Sequence, residues 1–391
     1  MAAIAHPLYT PNILETMSTP LPLTRTTPVT SPVKILQFGE GNFMRGFVDW
    51  MINHLNAQTG FNGAVEIVTP RAHAETADVI NAQGGLYTVV LRGQTDGHLV
   101  DSAELITCVK GCLNPATQWE EVLKTACLPE LRFVFSNTTE AGIEYKPSVD
   151  TFPSKLARLV TARYQAGRKG LVFIPCELIE NNGNTLRDCI LRYLDNPKVI
   201  DYVNRECRFC NTLVDRIVSG FPRDDVPRYR DKLGYDDRLI VCAEPFYFFA
   251  LEGAEDLRDE LPFREAGLDV VFTQDLRPYR TRKVRFLNGA HTASVLAAHL
   301  AGHTFVDEMV RDPRFNTYLR AILFDEIFPT VNLPDAEKRA FAESVLERFA
   351  NPFAQHRLLS IALNSVSKWK VRILPTILDY LKIFGKLPPN L

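Results

Sequence analysis

The sequence predicts an α/β protein: a doubly wound, mainly parallel sheet over residues 33–270, followed by a mainly α-helical domain over 271–391. Three observations carry that expectation. Short apolar runs that stop abruptly at Gly or Pro alternate with stretches of helical period through the first two thirds of the chain, the pattern of buried parallel strands joined by crossover helices. A glycine-rich turn links the first such strand to the first helix. Past residue 283, strand-like runs give way to apolar residues at helical spacing.

Residues 1–32 are rich in Pro and Thr, lack the apolar core of a signal peptide, and read as an extended arm. "VKILQF" (33–38) is the first strand, ending at Gly39. "FMRGFVDWMINHLN" (43–56) follows with Phe43, Phe47, Trp50, Met51 and Leu55 at the period of an amphipathic helix. "GAVEIVTP" (63–70) is the next strand, stopped by Pro70, and completes a β-α-β unit. Further strands are expected at 86–93, 131–138 and 170–178, with helices at 116–127, 153–166 and 184–194. In the second domain "SVLAAHLAGHTFVDEMV", "YLRAILFDEIFPTV", "FAESVLERFAN" and "RILPTILDYLKIF" each read as helix.

With 391 residues, 46% apolar and 23% charged, the chain suits a two-domain soluble protein. A formal net charge of −2 offers no footprint for nucleic acid or an acidic membrane surface. No run of about 18 apolar residues is present to span a bilayer. Among eight cysteines, Cys108 and Cys112 form a C-x3-C pair, and Cys207 and Cys210 a C-x2-C pair. Such spacings occur in zinc sites, but neither pair has the Gly-containing knuckle those sites favour. The expectation is therefore reduced thiols, no metal and a cytoplasmic protein.

"FGEGNFMRGF" (38–47) stands at the first strand-to-helix junction. Gly39 permits the tight turn, and Gly41 lets backbone N–H groups approach a pyrophosphate where the helix dipole favours negative charge. This is the Rossmann arrangement, with Met44 where the third glycine of the dinucleotide fingerprint would stand. The choice between NAD and NADP stays open at this level: Glu66 lies mid-strand, and Arg71 after the strand suits either adenine stacking or a 2′-phosphate.

"KVRFLNGAH" (283–291) opens an apolar helix yet carries Lys283, Asn288 and His291. With α-winding, Asn288 lies about 140° and His291 about 80° around from Lys283, within one broad arc. A lysine desolvated by apolar neighbours can trade a proton near neutral pH, while Asn and His N–H groups can donate to an oxygen that gains negative charge. That set suits carbonyl–alcohol interconversion. The same residues also fit a plainer helix start, with a solvated Lys, a packing Asn and a core His.

Together, "FGEGNFMRGF" and "KVRFLNGAH" resemble the long-chain mannitol dehydrogenase family of polyol and sugar-acid oxidoreductases. Gly39, Gly41, Phe43 and Arg45 match its G-x-G-x-F-x-R turn, and Lys283, Asn288 and His291 match its K-x4-N-x2-H helix. The resemblance implies NAD as cofactor at the turn of Gly39, Gly41, Asn42, Phe43 and Arg45; Asn137 and Thr138, at the carboxyl end of a strand, sit where a doubly wound sheet presents loops to the cofactor. The resemblance also implies Lys283 as general acid/base, Asn288 and His291 on the reacting oxygen, and no catalytic metal. A dinucleotide sensor without turnover would share the turn but have no need of that lysine helix.

Four further stretches, "RFVFSNTTEAGI", "IPCELIENNG", "FCNTLVDRIVSGFPRD" and "NPFAQHRLLSIALNSVSKWKVRILP", resemble the branch of the family that acts on hexuronates and aldonates. Two departures from the mannitol enzymes agree with that branch. Their C-D-N triplet reads Cys176-Glu177-Leu178 here, so a hydrogen-bond donor is absent unless Asn181 or Asn182 replaces it. Their Arg eight residues before Lys368 reads Ser360. A uronate carboxylate asks for a cationic partner, and Lys368 and Arg372, four apart on one helix face, are the candidates; Glu140 is a further candidate for substrate contact. The resemblance leads one to expect another helical segment after "GKLPPNL", where this sequence stops. Oligomeric state stays open.

Overall fold

The computed structural model describes residues 20–70, 75–95 and 97–391. Most of the N-terminal arm, together with Arg71, lies outside the described residues; the arm's last part adds a two-residue strand, Leu21–Pro22, parallel to Tyr235–Asp236.

Six parallel strands form the central sheet in the order Val109–Leu113, Ala64–Val68, Val33–Phe38, Phe133–Ser136, Val172–Pro175 and Arg208–Phe209. Numbered along the chain that order is 3-2-1-4-5-6, the doubly wound dinucleotide-binding arrangement. Side-chain alternation divides the strands between two cores. Ile35, Val65, Ile67, Phe133, Phe135, Val172 and Ile174 face one. Leu36, Phe38, Ala64, Val68, Val134 and Phe173 face the other. Because both faces are covered, these strands read as continuous apolar runs.

The stretch expected as a strand at 86–93 is a strand, Tyr87–Thr95, but it leaves this sheet. It pairs antiparallel with His98–Ile106 and parallel with Val241–Ala243, in a four-stranded sheet that Val218–Gly220 completes. A third sheet joins Thr212–Asp215, Phe248–Glu252 and Val270–Thr273.

From Arg277 onward the described chain is helical, with its own apolar core around Phe286, Val295, Met309, Leu319, Ile322, Phe341 and Val345. The lysine-bearing helix runs over 277–300, with the turn Lys283–Gly289 π-wound. Helix Asp335–Phe349 carries Arg348 back toward the sheets. Asn351 Nδ2 donates to Arg92 O at 3.2 Å, and Gly97 N–H to Glu347 Oε1 at 3.1 Å, tying the helical part to the Tyr87–His98 hairpin region. Among the described residues no helix is long and apolar enough to cross a membrane.

Candidate active site at the sheet switch point

Strand order reverses between Val33–Phe38 and its neighbour Phe133–Ser136, and the glycine turn rises from that crevice. Gly39 has φ +122°, and a Cβ there would come within 2.9 Å of Asn137 O. Only glycine fits. A Cβ on Gly41 would meet nothing within 4 Å, so this side of the turn is open. A helix follows over 42–58, and its first turn leaves the N–H groups of Asn42, Phe43 and Met44 without an intrahelical acceptor. These donors at a positive helix end fit a pyrophosphate.

Met44 is fully buried in the core. The close helix–sheet approach that a third glycine would allow occurs at Gly46 instead, where a Cβ would stand 2.9 Å from Val241 Cγ1 and 3.3 Å from Val218 Cγ1. Gly46 lies in a π-wound turn, Arg45–Asp49. Arg45 departs from the expected role. Its buried guanidinium donates to Glu40 O (3.1 Å), Leu239 O (2.6 Å) and Asn42 Oδ1 (2.7 Å), so it braces the turn from within. Below it, Gln37 Nε2 donates to Gly39 O at 3.1 Å and to Asp49 Oδ2 at 3.3 Å, and Tyr87 Oη–H to Asp49 Oδ2 at 2.7 Å. Burial pushes the Asp49 carboxyl up to about 7. Glu66 is buried and paired with Lys110 at 3.2 Å, so it offers nothing to a ribose.

A cavity of about 560 Å³ opens beside the turn, walled by Phe43, Asn137, Thr139, Leu178, Asp215 and Lys283, among others. Asn137 Nδ2 donates to Cys176 O at 2.8 Å. Thr138 turns away from the cavity: its N–H and hydroxyl both donate to Glu177 Oε1, at 2.9 and 3.0 Å, and Thr139 takes the wall. Ser136 Oγ donates to the other Glu177 oxygen at 3.0 Å. Burial raises the Glu177 carboxyl, and these donors draw it partly back. Leu178 is 61% exposed, an apolar side chain where the mannitol-type triplet has an amide. Asn182 does not replace that amide, because its Nδ2 serves Pro175 O, Glu177 O and Thr212 Oγ1. Asn181 is exposed in the left-handed conformation at the start of the next helix. Glu140 opens the short turn Glu140–Gly142; its side chain lies outside the described residues.

Lys283 enters this cavity from the helical domain. Its Nζ donates to Val214 O at 2.9 Å and stands 3.7 Å from Asp215 Oδ1. Burial lowers the proton affinity of the amine; Asp215 works against that, and Arg348 works with it. Asp215 is itself gripped by Arg348 through both oxygens, at 3.0 and 3.1 Å, while the same guanidinium holds Glu244 at 2.9 and 3.0 Å. Burial opposes ionisation of Asp215, yet Arg348 and Lys283 hold it below the usual carboxylate range.

The π-winding alters the geometry that an α-helical wheel gives. Hydrogen bonds in such a turn span five residues, so Asn288 lies closer in angle to Lys283 than α-winding would set it. Asn288 is half-buried, and its amide makes no hydrogen bond among the described residues. His291 stacks on Phe349 at 4.0 Å, and its buried Nε2 has no partner among the described residues. Burial, reinforced by His356, Arg348, Arg372 and Lys368, pushes its imidazole down to about 3, so it is neutral at physiological pH. His291 borders a separate small void with His356 and Asn351. Lys368 Nζ donates to Ile361 O at 2.7 Å, and Arg372 Nη1 to Thr292 Oγ1 at 3.3 Å. Thus Phe43, Asn137 and Lys283 share one cavity, while Asn288, His291, Lys368 and Arg372 gather farther along the lysine helix and its neighbour. Thr139, Asp215, Glu244 and Arg348 escaped the sequence reading. The Asp215 of "TLVD" carried a signal, a charge closing an apolar strand.

Residues 33–264 match the mannitol dehydrogenase Rossmann domain, and residues 275–389 the mannitol dehydrogenase C-terminal domain. The chain is 45% identical over 375 residues to the altronate oxidoreductase of Halalkalibacterium halodurans, covering 92% of this chain and 73% of that protein. It is 44% identical over 376 residues to the altronate oxidoreductase of Bacillus subtilis, with 92% and 78% covered. A substrate-free D-sorbitol dehydrogenase superposes with TM-score 0.81 at 22% identity, covering 96% of this chain and 82% of that one. The Pseudomonas fluorescens mannitol 2-dehydrogenase, in ternary complex with NAD and D-mannitol, superposes with TM-score 0.72 at 23% identity, covering 94% and 79%.

Proposed function

The chain belongs to the mannitol dehydrogenase family, and from that premise we propose that it interconverts D-tagaturonate and D-altronate with NAD(H), using Lys283 as general acid and base. The altronate oxidoreductase names of relatives at 44–45% identity support the substrate class. The observation that carries the chemistry is the buried Lys283 amine. It reaches the wall of the cavity beside the phosphate turn and is bonded there to a neutral carbonyl, with its nearest carboxylate 3.7 Å away.

Bound NADH supplies the hydride that reduces the keto carbon. The free N–H groups of Asn42, Phe43 and Met44, beside the glycines at 39 and 41, hold the cofactor's pyrophosphate. Phe43 and Asn137 line the cavity that would receive the nicotinamide end and the sugar. Lys283 delivers a proton to the carbonyl oxygen during reduction and takes one from the C–OH during oxidation. Val214 O orients the amine, and burial weakens its hold on the proton, the direction that proton transfer requires. Asn288, one π turn along, supplies an amide donor to the oxygen as charge builds there. His291 is neutral, so it acts through a ring N–H and does not compete for the transferred proton. Lys368 and Arg372 supply the positive charge for the substrate carboxylate.

NADH oxidation against a panel of keto-uronates and ketohexoses tests this. Tagaturonate should have the highest kcat/KM. Preference for fructuronate or fructose would move the protein to another substrate of the same family, and absence of turnover with every keto sugar would overturn the reading.

A further inference from the structure

We propose that Arg348 and Glu244 form a positioning device for Lys283: Arg348 grips Asp215 through both carboxylate oxygens and so keeps that carboxylate from closing on the lysine amine. The inference rests on Lys283 being the proton-transfer group.

The geometry is specific. Arg348 comes from helix Asp335–Phe349, Asp215 ends strand Thr212–Asp215, and Glu244 follows strand Val241–Ala243. All three side chains are buried, with 3%, 7% and 3% exposed for Arg348, Asp215 and Glu244. The guanidinium lies over the Phe246 ring at 4.2 Å, which fixes its plane. Glu244 Oε1 also accepts from Ile217 N–H at 2.6 Å. Four donor–acceptor contacts of about 3 Å thus hold the two carboxylates on one guanidinium. Lys283, at 3.7 Å from the shared carboxylate, is left with a carbonyl as its only close partner among the described residues.

The charge balance follows. Burial raises the Glu244 carboxyl and Arg348 draws it back; with both carboxylates ionised, Asp215, Glu244 and Arg348 together carry −1, so the cluster tolerates an ammonium at Lys283 without fixing it in place. Charged groups on neighbouring elements have further partners of their own, and Arg282 also helps to hold Asp215 ionised. Arg282 is sandwiched near Phe248 and Phe341 and lies 3.8 Å from Glu337. Arg285 pairs with Asp379. Glu326 accepts from Asn390 and Leu391. Lys368 and Arg372 lie toward His291, and His356 faces Arg348; Arg216, next to Asp215, donates to Glu244 O at 2.9 Å and to Gly46 O at 2.9 Å and adds a fixed positive charge beside Glu244, while Glu177 lines the same cavity.

Two substitutions in this one cluster must therefore act in opposite directions. Arg348→Met leaves two carboxylates beside Lys283 and frees Asp215 to approach, so the ammonium holds its proton more tightly. Glu244→Gln preserves shape, removes one negative charge, and leaves Arg348 wholly to Asp215, so the proton is released more easily. The readout is the pH profile of kcat/KM in both reaction directions. The Lys283 limb should move about one pH unit alkaline in Arg348→Met and about one unit acid in Glu244→Gln; Arg348→Lys should return at least half of the first shift. Where Arg348→Met does not fold, Glu244→Gln and Arg348→Lys decide alone. The rate at which an amine-selective acylating reagent modifies Lys283, followed against pH by peptide mass spectrometry, reads the same titration without turnover. An enzyme inactive on every keto sugar would refute the proposed reaction while this labelling still tests the device. A Glu244→Gln profile that stays put or moves alkaline would overturn the device.

Discussion

Asp49→Asn isolates the energetic consequence of burying a carboxyl beneath the cofactor turn. In the folded protein burial raises Asp49 from 3.8 to about 7, against the opposing donors Tyr87 and Gln37. A carboxyl raised in this way binds its proton more tightly when folded than when unfolded. Its contribution is fully present below the unfolded value and is lost as pH rises through the folded one. Over that window the loss approaches about 1.4 kcal/mol per pH unit and totals about 4 kcal/mol. Asparagine has the same shape and does not titrate. It brings a pH-independent offset, because the position of Oδ1, which has no partner among the described residues, offers no acceptor to an amide. Urea unfolding of both proteins at intervals from pH 5 to 8, followed by tryptophan fluorescence, is the assay. The advantage of the wild type over Asp49→Asn should be greatest at pH 5, shrink steadily to about pH 7, and level off above. Stability curves that run parallel across this range would refute the assignment of a raised, titrating carboxyl at this position.

Lys283→Met should bind NADH as tightly as the wild type in a fluorescence titration, while kcat falls by about 10²–10⁴ in both directions. Gly46→Ala drives a methyl to 2.9 Å from Val241 Cγ1, an overpacking that should cost about 1–3 kcal/mol in chemical denaturation. Leu178→Asn restores an amide to the cavity wall; the ratio of kcat/KM for fructose to that for tagaturonate should rise at least about tenfold, in line with the worth of one added donor. Arg372→Met should raise KM for a keto-uronate by about 10–100-fold, the range for losing a charged hydrogen bond, and leave KM for a neutral ketohexose nearly unchanged, as measured by initial rates.

What the sequence made legible, and what it hid, divides along the range of the interactions. Val33–Phe38 was readable to the residue because both its faces are buried and Gly39 ends it, a local fact written in six letters. The strand His98–Ile106 was not, because half of "HLVDSAELI" faces solvent and its polar side chains mask the alternation. Val109–Leu113, which lies beside Ala64–Val68 in the parallel sheet, carries Lys110 and Gly111 in five residues and gave too short an apolar signal. The π turns Arg45–Asp49 and Lys283–Gly289 were hidden for a different reason. At Gly46 a helix is pressed onto Val218 and Val241, residues far away in sequence, and no single-segment periodicity reports that pressure. An α-helical wheel accordingly set Asn288 well around from Lys283, whereas the π-wound turn brings it closer in angle. Arg45 matched a motif by letter and Thr138 was nominated by its place at a strand end, yet both direct their donors inward, to Leu239 O and to Glu177. The reactivity proposed for Lys283 is the sharpest case. The residue type and its neighbours on the helix were plain in "KVRFLNGAH", but the carboxylate beside the amine, Asp215, is gripped by an arginine 133 positions away, the pairing we infer to leave the amine free. Such a pairing exists only once two domains meet, so the lysine could be nominated from its sequence but its chemistry had to be read from the fold.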